Sequence, residues 1–128
     1  MTTEFKILLW SLALTFVQML VATTGTALQR GFAAALGNRE GLRELTGWPG
    51  RARRAHLNMI ENMVLFVPLL VIADIAGRDD AMTELGALMF FWARLAYAIL
   101  YVAGVPYLRT AAWAVSAVGM LLIFRELV

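Results

Sequence analysis

The run ILLWSLALTFVQMLVATTGTALQ, from Ile7 to Gln29, carries no charged side chain, and it decides how the rest of the chain is read. A helix needs about 20 predominantly apolar residues to cross a hydrocarbon core, and this run supplies them. A cleavable leader is the competing reading. Its apolar part would span only about 7–15 residues and end at a small-residue cleavage site, and this run fits neither feature. The first span is therefore placed at about 5–30. Working outward, a second apolar segment covers about 55–76 and stops at Gly77, Arg78, Asp79 and Asp80, a glycine stop followed by a charged turn. A third covers about 82–103. Gly104 and Pro106 then interrupt the pattern before a fourth, about 106–127, which ends around Arg125 and Glu126. The long connection, about 31–53, holds Gly37, Asn38, Gly47, Pro49 and Gly50 and reads as a broken loop. The other two connections are short and force antiparallel neighbours. The pattern predicts an all-α, up-down four-helix bundle that is integral to a membrane, with residues 1–128 forming one domain.

Composition agrees with the spans. Hydrophobic residues make up 61% of the 128, against roughly 45–50% in soluble domains. With 16% charged residues and a mean hydropathy of +0.72, a soluble chain this small lacks polar residues to cover its surface. There is no cysteine, which excludes disulfides, thiolate metal sites and a cysteine nucleophile. Any thiol chemistry must use a thiol brought by a ligand. Arg30, Arg39, Arg43, Arg51, Arg53, Arg54 and Arg109 fall on one side of the spans; Lys6, Arg78 and Arg125 fall on the other; Arg94 lies within a span, which completes the 11 basic residues. The positive-inside bias then predicts a cytoplasmic long loop, with both termini opposite, in a bacterial inner membrane or its equivalent. The isoelectric point near 9.5 reflects this orientation. No nucleic-acid motif accompanies the arginines, so no nucleic-acid partner is expected.

A charge at mid-span costs about 2.5–3.5 kcal/mol on insertion scales and so calls for a partner or a purpose. Arg54, Asn58 and Glu61 share one face of the second span; Arg94, Tyr97 and Tyr101 share one face of the third. Counting from Ala55 and Ala103 as the loop-side ends, Glu61 and Tyr97 both lie roughly 9 Å deep. Arg109, one turn into the fourth span, falls near the same mouth. Guanidinium forks grip carboxylates, Glu61 can pair with an ammonium group, and Asn58 and the tyrosines add directional hydrogen bonds. The set suits a small zwitterion with several carboxylates. The plainer alternative has Glu61 and Arg94 neutralising each other as bundle glue. Arg54 and Arg109 add positive charge beyond what one carboxylate answers, although either can also snorkel to lipid phosphates. His56, the only histidine, reads as an interfacial polar residue able to reach loop or ligand, and no metal site is expected. Asp74 reads as a helix-end charge. Met59, Met63, Met82, Met89, Met120, Trp92 and Trp113 read as packing or lipid-facing residues, while Ala13, Ala22, Gly25, Ala96 and Ala114 permit close helix approach.

The stretch Arg54-Ala55-His56-Leu57-Asn58-Met59-Ile60-Glu61-Asn62, with Phe66 and Pro68-Leu69-Leu70, resembles the second-helix signature of the MAPEG family, membrane-associated proteins in eicosanoid and glutathione metabolism. Ala93-Arg94-Leu95-Ala96-Tyr97, then Tyr101 and Arg109, is similar to the third helix and fourth-helix start of its leukotriene- and prostaglandin-forming members. The resemblance implies a homotrimer in membrane lipids, with glutathione as co-substrate in a cleft between subunits. It places Arg54, Asn58, Glu61, Arg94, Tyr97 and Tyr101 on glutathione-contacting or supporting positions. His56 falls on a position that also touches the ligand, and Arg109 on the catalytic arginine that holds the thiolate. A further site arginine is implied at the end of the first span, where Gln29 and Arg30 stand, although the register matched by Gly25 puts Leu28 there. Asn62 replaces a tyrosine of the leukotriene-forming members, and Leu57 a basic residue of the prostaglandin-forming one. The implied activity is that of a transferase or peroxidase acting on lipophilic small-molecule electrophiles or hydroperoxides. The alternatives are a non-catalytic lipid-binding scaffold of the same fold and a small multidrug transporter. The transporter is disfavoured because its essential carboxylate belongs in the first helix, which has none between Ile7 and Gln29.

Overall fold

A computed structural model describes residues 1–38 and 40–128; Arg39, counted above in the orientation argument, lies outside the described residues. The elements are α1 (Thr3–Arg30), the short α2 (Phe32–Leu36), α3 (Gly47–Ile75), α4 (Ala81–Ala103) and α5 (Pro106–Leu127). The four long helices are all long and apolar enough to cross a membrane. The multi-pass membrane reading therefore stands at the level of the helices themselves.

Local chemistry sets most boundaries. The Thr2 hydroxyl accepts the Phe5 amide at 3.2 Å, opening α1. Asp80 and Thr83 form a reciprocal capping box at the start of α4. Gly104, at φ 82°, ends α4 in the left-handed region, with its amide on Tyr101 O and that of Val105 on Leu100 O. Pro106 starts α5 at the position where a missing amide costs nothing. One expected boundary is corrected. α3 begins at Gly47 and not near residue 55, so Gly47, Pro49 and Gly50 belong to its first turn, and with Phe32–Leu36 helical as well the connection shrinks to 37–46. Proline is harmless there because the first four amides of a helix have no intrahelical acceptor.

Hydrogen bonds at both ends fix the up-down order. At the loop end, Arg51 Nε donates to Val102 O at 2.9 Å, joining the start of α3 to the end of α4. At the terminal end, the Thr83 hydroxyl donates to the buried Glu4 carboxylate at 2.9 Å, and Arg78 donates to Glu126 O at 3.3 Å. Between them lies an apolar core of Ile7, Met59, Met63, Phe66, Leu70, Phe90 and Ile123, with the Phe66 and Phe90 rings stacked at 3.8 Å. α4 and α5 meet backbone to backbone. A Cβ on Gly86 would lie 2.5 Å from Gly119 O, and one on Gly119 would lie 2.6 Å from Gly86 O. The outward faces carry Leu9, Phe16, Trp92, Ile99 and Leu121, and Trp10 is 66% exposed, the surface a lipid environment accepts.

Candidate functional site

The two polar stripes meet at the loop end of the bundle. Arg94 enters the protein interior from α4 and is 1% exposed. Its Nη2 donates to Asn58 Oδ1 at 2.8 Å, and its guanidinium sits 4.2 Å from the Tyr97 ring centroid. Asn58 is held in turn by Asn62, whose Nδ2 donates to the Asn58 carbonyl at 2.8 Å and to Oδ1 at 3.2 Å. Glu61 stays exposed on the cleft wall. The buried guanidinium is thus answered by an amide and a ring, and the Glu61–Arg94 glue reading does not describe this arrangement. Arg94 Nε and Nη1 remain buried without a partner.

In front of this buried layer, Arg54, Leu57, Asn58, Glu61, Tyr97 and Tyr101 line an open cleft of about 240 Å³. Arg54 Nε donates to the Tyr101 hydroxyl at 3.3 Å. The Arg109 guanidinium rests 4.1 Å from the centroid of the same ring, and Tyr97 meets Tyr101 edge-on at 5.5 Å. One face therefore presents a cationic fork, a carboxylate, an amide and two phenols, with Arg109 against the Tyr101 ring.

Three expected site residues lie elsewhere in the single chain. His56 faces α1, in a groove of about 230 Å³ with Met19, Thr23, Thr26 and Arg53. Gln29 exchanges two hydrogen bonds with the Thr46 backbone, at 2.8 and 2.9 Å, which pins the connection against α1. Arg30 donates to Arg43 O in the same connection. Reading the sequence alone missed two supporting residues. Asn62 looked only like a departure from a pattern, yet its i, i+4 spacing from Asn58 was the available signal. Arg51 looked like one loop arginine among several. Its position against the carbonyl end of α4 appears only once the helices are packed. Among the described residues, no group of three or more His, Asp or Glu side chains converges as a metal site.

The fold and the cleft define a class: a membrane protein with four helices long enough to span, carrying a cleft lined by arginine and tyrosine side chains at one end. Within that class, the chain belongs to the MAPEG family, whose model it matches over residues 7–128. Comparison with curated proteins and with solved structures gives no match. Family membership marks this chain as a membrane protein related to glutathione and eicosanoid metabolism, a family whose members generally use glutathione as substrate and include both enzymes and non-catalytic proteins.

Proposed function

We propose that the protein binds glutathione at the loop-end cleft and uses its thiolate to conjugate lipophilic electrophiles or reduce lipophilic hydroperoxides. The observation that carries this reading is the convergence of Arg54, Asn58, Glu61, Tyr97 and Tyr101 in one cleft, with Arg109 against Tyr101, in a chain without cysteine. Glutathione offers two carboxylates for arginine forks, one ammonium group for Glu61 and the sulfur that the chain lacks. A guanidinium beside that sulfur favours thiolate over thiol, and the thiolate is the nucleophile.

In this reading Arg94 acts from behind, as the buried charge that fixes Asn58. The chain assembles as a homotrimer whose neighbouring subunit covers the open side of the cleft, where Leu57, Ile60, Val64 and Leu65 of α3 are exposed. The loop end faces the cytoplasm, as the arginine distribution favours. Glutathione added to the detergent-solubilised protein should produce ultraviolet thiolate absorbance, and Arg109→Ala should remove it. Absence of binding at millimolar glutathione sinks the proposal.

A second reading, a non-catalytic lipid-binding scaffold, draws on one observation: Arg109 rests on the Tyr101 ring and does not line the cleft. It predicts lipid binding without thiolate absorbance and without conjugation of a generic aryl halide.

A further inference from the structure

A second, larger cleft of about 480 Å³ opens where α1 ends and α3 begins. Its wall includes Arg30, Arg53 and Arg54, with Glu44 the sole carboxylate among its lining residues. Three guanidiniums against one carboxylate leave a local excess of positive charge. The site is built. Gln29 and Thr46 hold the connection that forms one wall, and Arg30 donates to Arg43 O from within it. Arg30 Nε is buried with no acceptor. Gly50 keeps the floor open: a Cβ there would stand 2.6 Å from Leu45 O and 3.2 Å from Arg54 Nη1. Arg54 therefore spans two clefts, with Nε on Tyr101 and Nη1 toward this floor.

We propose that this arginine cleft binds a phosphate group, presented either by the headgroup of an anionic lipid or as a free phosphate. Phosphate oxygens meet the guanidiniums of Arg30, Arg53 and Arg54, the bidentate geometry that arginine provides and lysine does not. Depth agrees with a headgroup. The cleft lies at the ends of two spans, and Trp48, packed over Gly25, stands at the level where indoles favour the bilayer interface. The site shares Arg54 with the thiol cleft, but Arg30 and Arg53 lie outside that cleft, and the inference does not rest on glutathione chemistry.

The test compares wild type with Arg30→Gln, Arg53→Gln and Arg30→Lys, each checked for a wild-type melting profile. Native mass spectrometry counts phosphatidylglycerol against phosphatidylcholine retained from mixed vesicles, and inorganic phosphate is titrated separately into delipidated protein. Wild type should retain phosphatidylglycerol selectively, and either glutamine variant should weaken that retention about tenfold. Arg30→Lys keeps the charge but loses the fork and should fall between them. Saturable inorganic phosphate binding that Arg30→Gln weakens identifies the free ion as a source; lipid selectivity without it identifies the headgroup. Equal retention of both lipids by wild type together with no phosphate binding overturns the proposal, as does phosphate or lipid binding that neither glutamine variant changes. Thiolate absorbance measured on the wild-type preparation reports on the glutathione reading separately.

Discussion

Asn58 sits between two donors of different kinds, the Arg94 guanidinium and the Asn62 amide, and this asymmetry makes a prediction. Asn58→Leu leaves a buried guanidinium with no hydrogen bond and should destabilise by about 1–3 kcal/mol. Arg94→Leu instead removes the charge and leaves Asn58 Oδ1 with the Asn62 donor, so its melting temperature in the same detergent should stay near wild type while glutathione affinity falls. Tyr101 separates two roles in the same way. Tyr101→Phe keeps the ring under Arg109 and loses the acceptor for Arg54, a change of about 1 kcal/mol in glutathione binding by titration; Tyr101→Ala loses both and should cost more. These stripes were legible in the sequence because helical spacing alone puts Arg54, Asn58 and Glu61 on one face. The partners were not, because spacing within a helix does not state which of two facing side chains Arg94 will reach. Asn58 is the one it reaches.

Among the elements, the α3–α4 connection and the α4–α5 crossing carry the clearest consequences. Asp79, in the connection, has its carboxyl pushed above the ordinary aspartate range, first by burial and then by the neighbouring Glu4, Asp74 and Asp80. An acid raised in the folded state binds protons more tightly there than in the unfolded chain, so its contribution is full below the ordinary aspartate range and lost as pH rises through the elevated value. Melting temperature should therefore fall as pH increases through the acidic range, and Asp79→Asn should flatten that slope. At the crossing, Gly86→Ala forces a Cβ into Gly119 O and should destabilise by about 1–3 kcal/mol in thermal melts, more than Ala96→Gly on the exposed face of the same helix. The sequence disclosed the breaks around Gly77 and Gly104 because turn chemistry is local. It concealed the start of α3, since Gly47, Pro49 and Gly50 carry the same signals inside a first helical turn as in a loop. The Gly86–Gly119 contact was hidden for another reason: it depends on register between helices.

For the whole molecule, the four spans followed from hydropathy because a lipid environment leaves few other arrangements for an unpaired backbone. The orientation is open to a direct test that the absence of cysteine makes simple. Glu40→Cys and Val128→Cys place single thiols at opposite ends of the bundle. In right-side-out vesicles, a membrane-impermeant maleimide should label Val128→Cys and reach Glu40→Cys only after the membrane is permeabilised. The reverse pattern inverts the proposed topology.

The glycine-on-glycine crossing also bears on how the cleft can adapt. α4 and α5, joined by two residues and touching through bare backbone, behave as one stiff lever, with Tyr101 on one arm and Arg109 on the other. Their spacing is set by that lever. Arg54 and Glu61 stand on α3, outside that lever, so the walls of the cleft are carried by different elements, one of them a fixed pair.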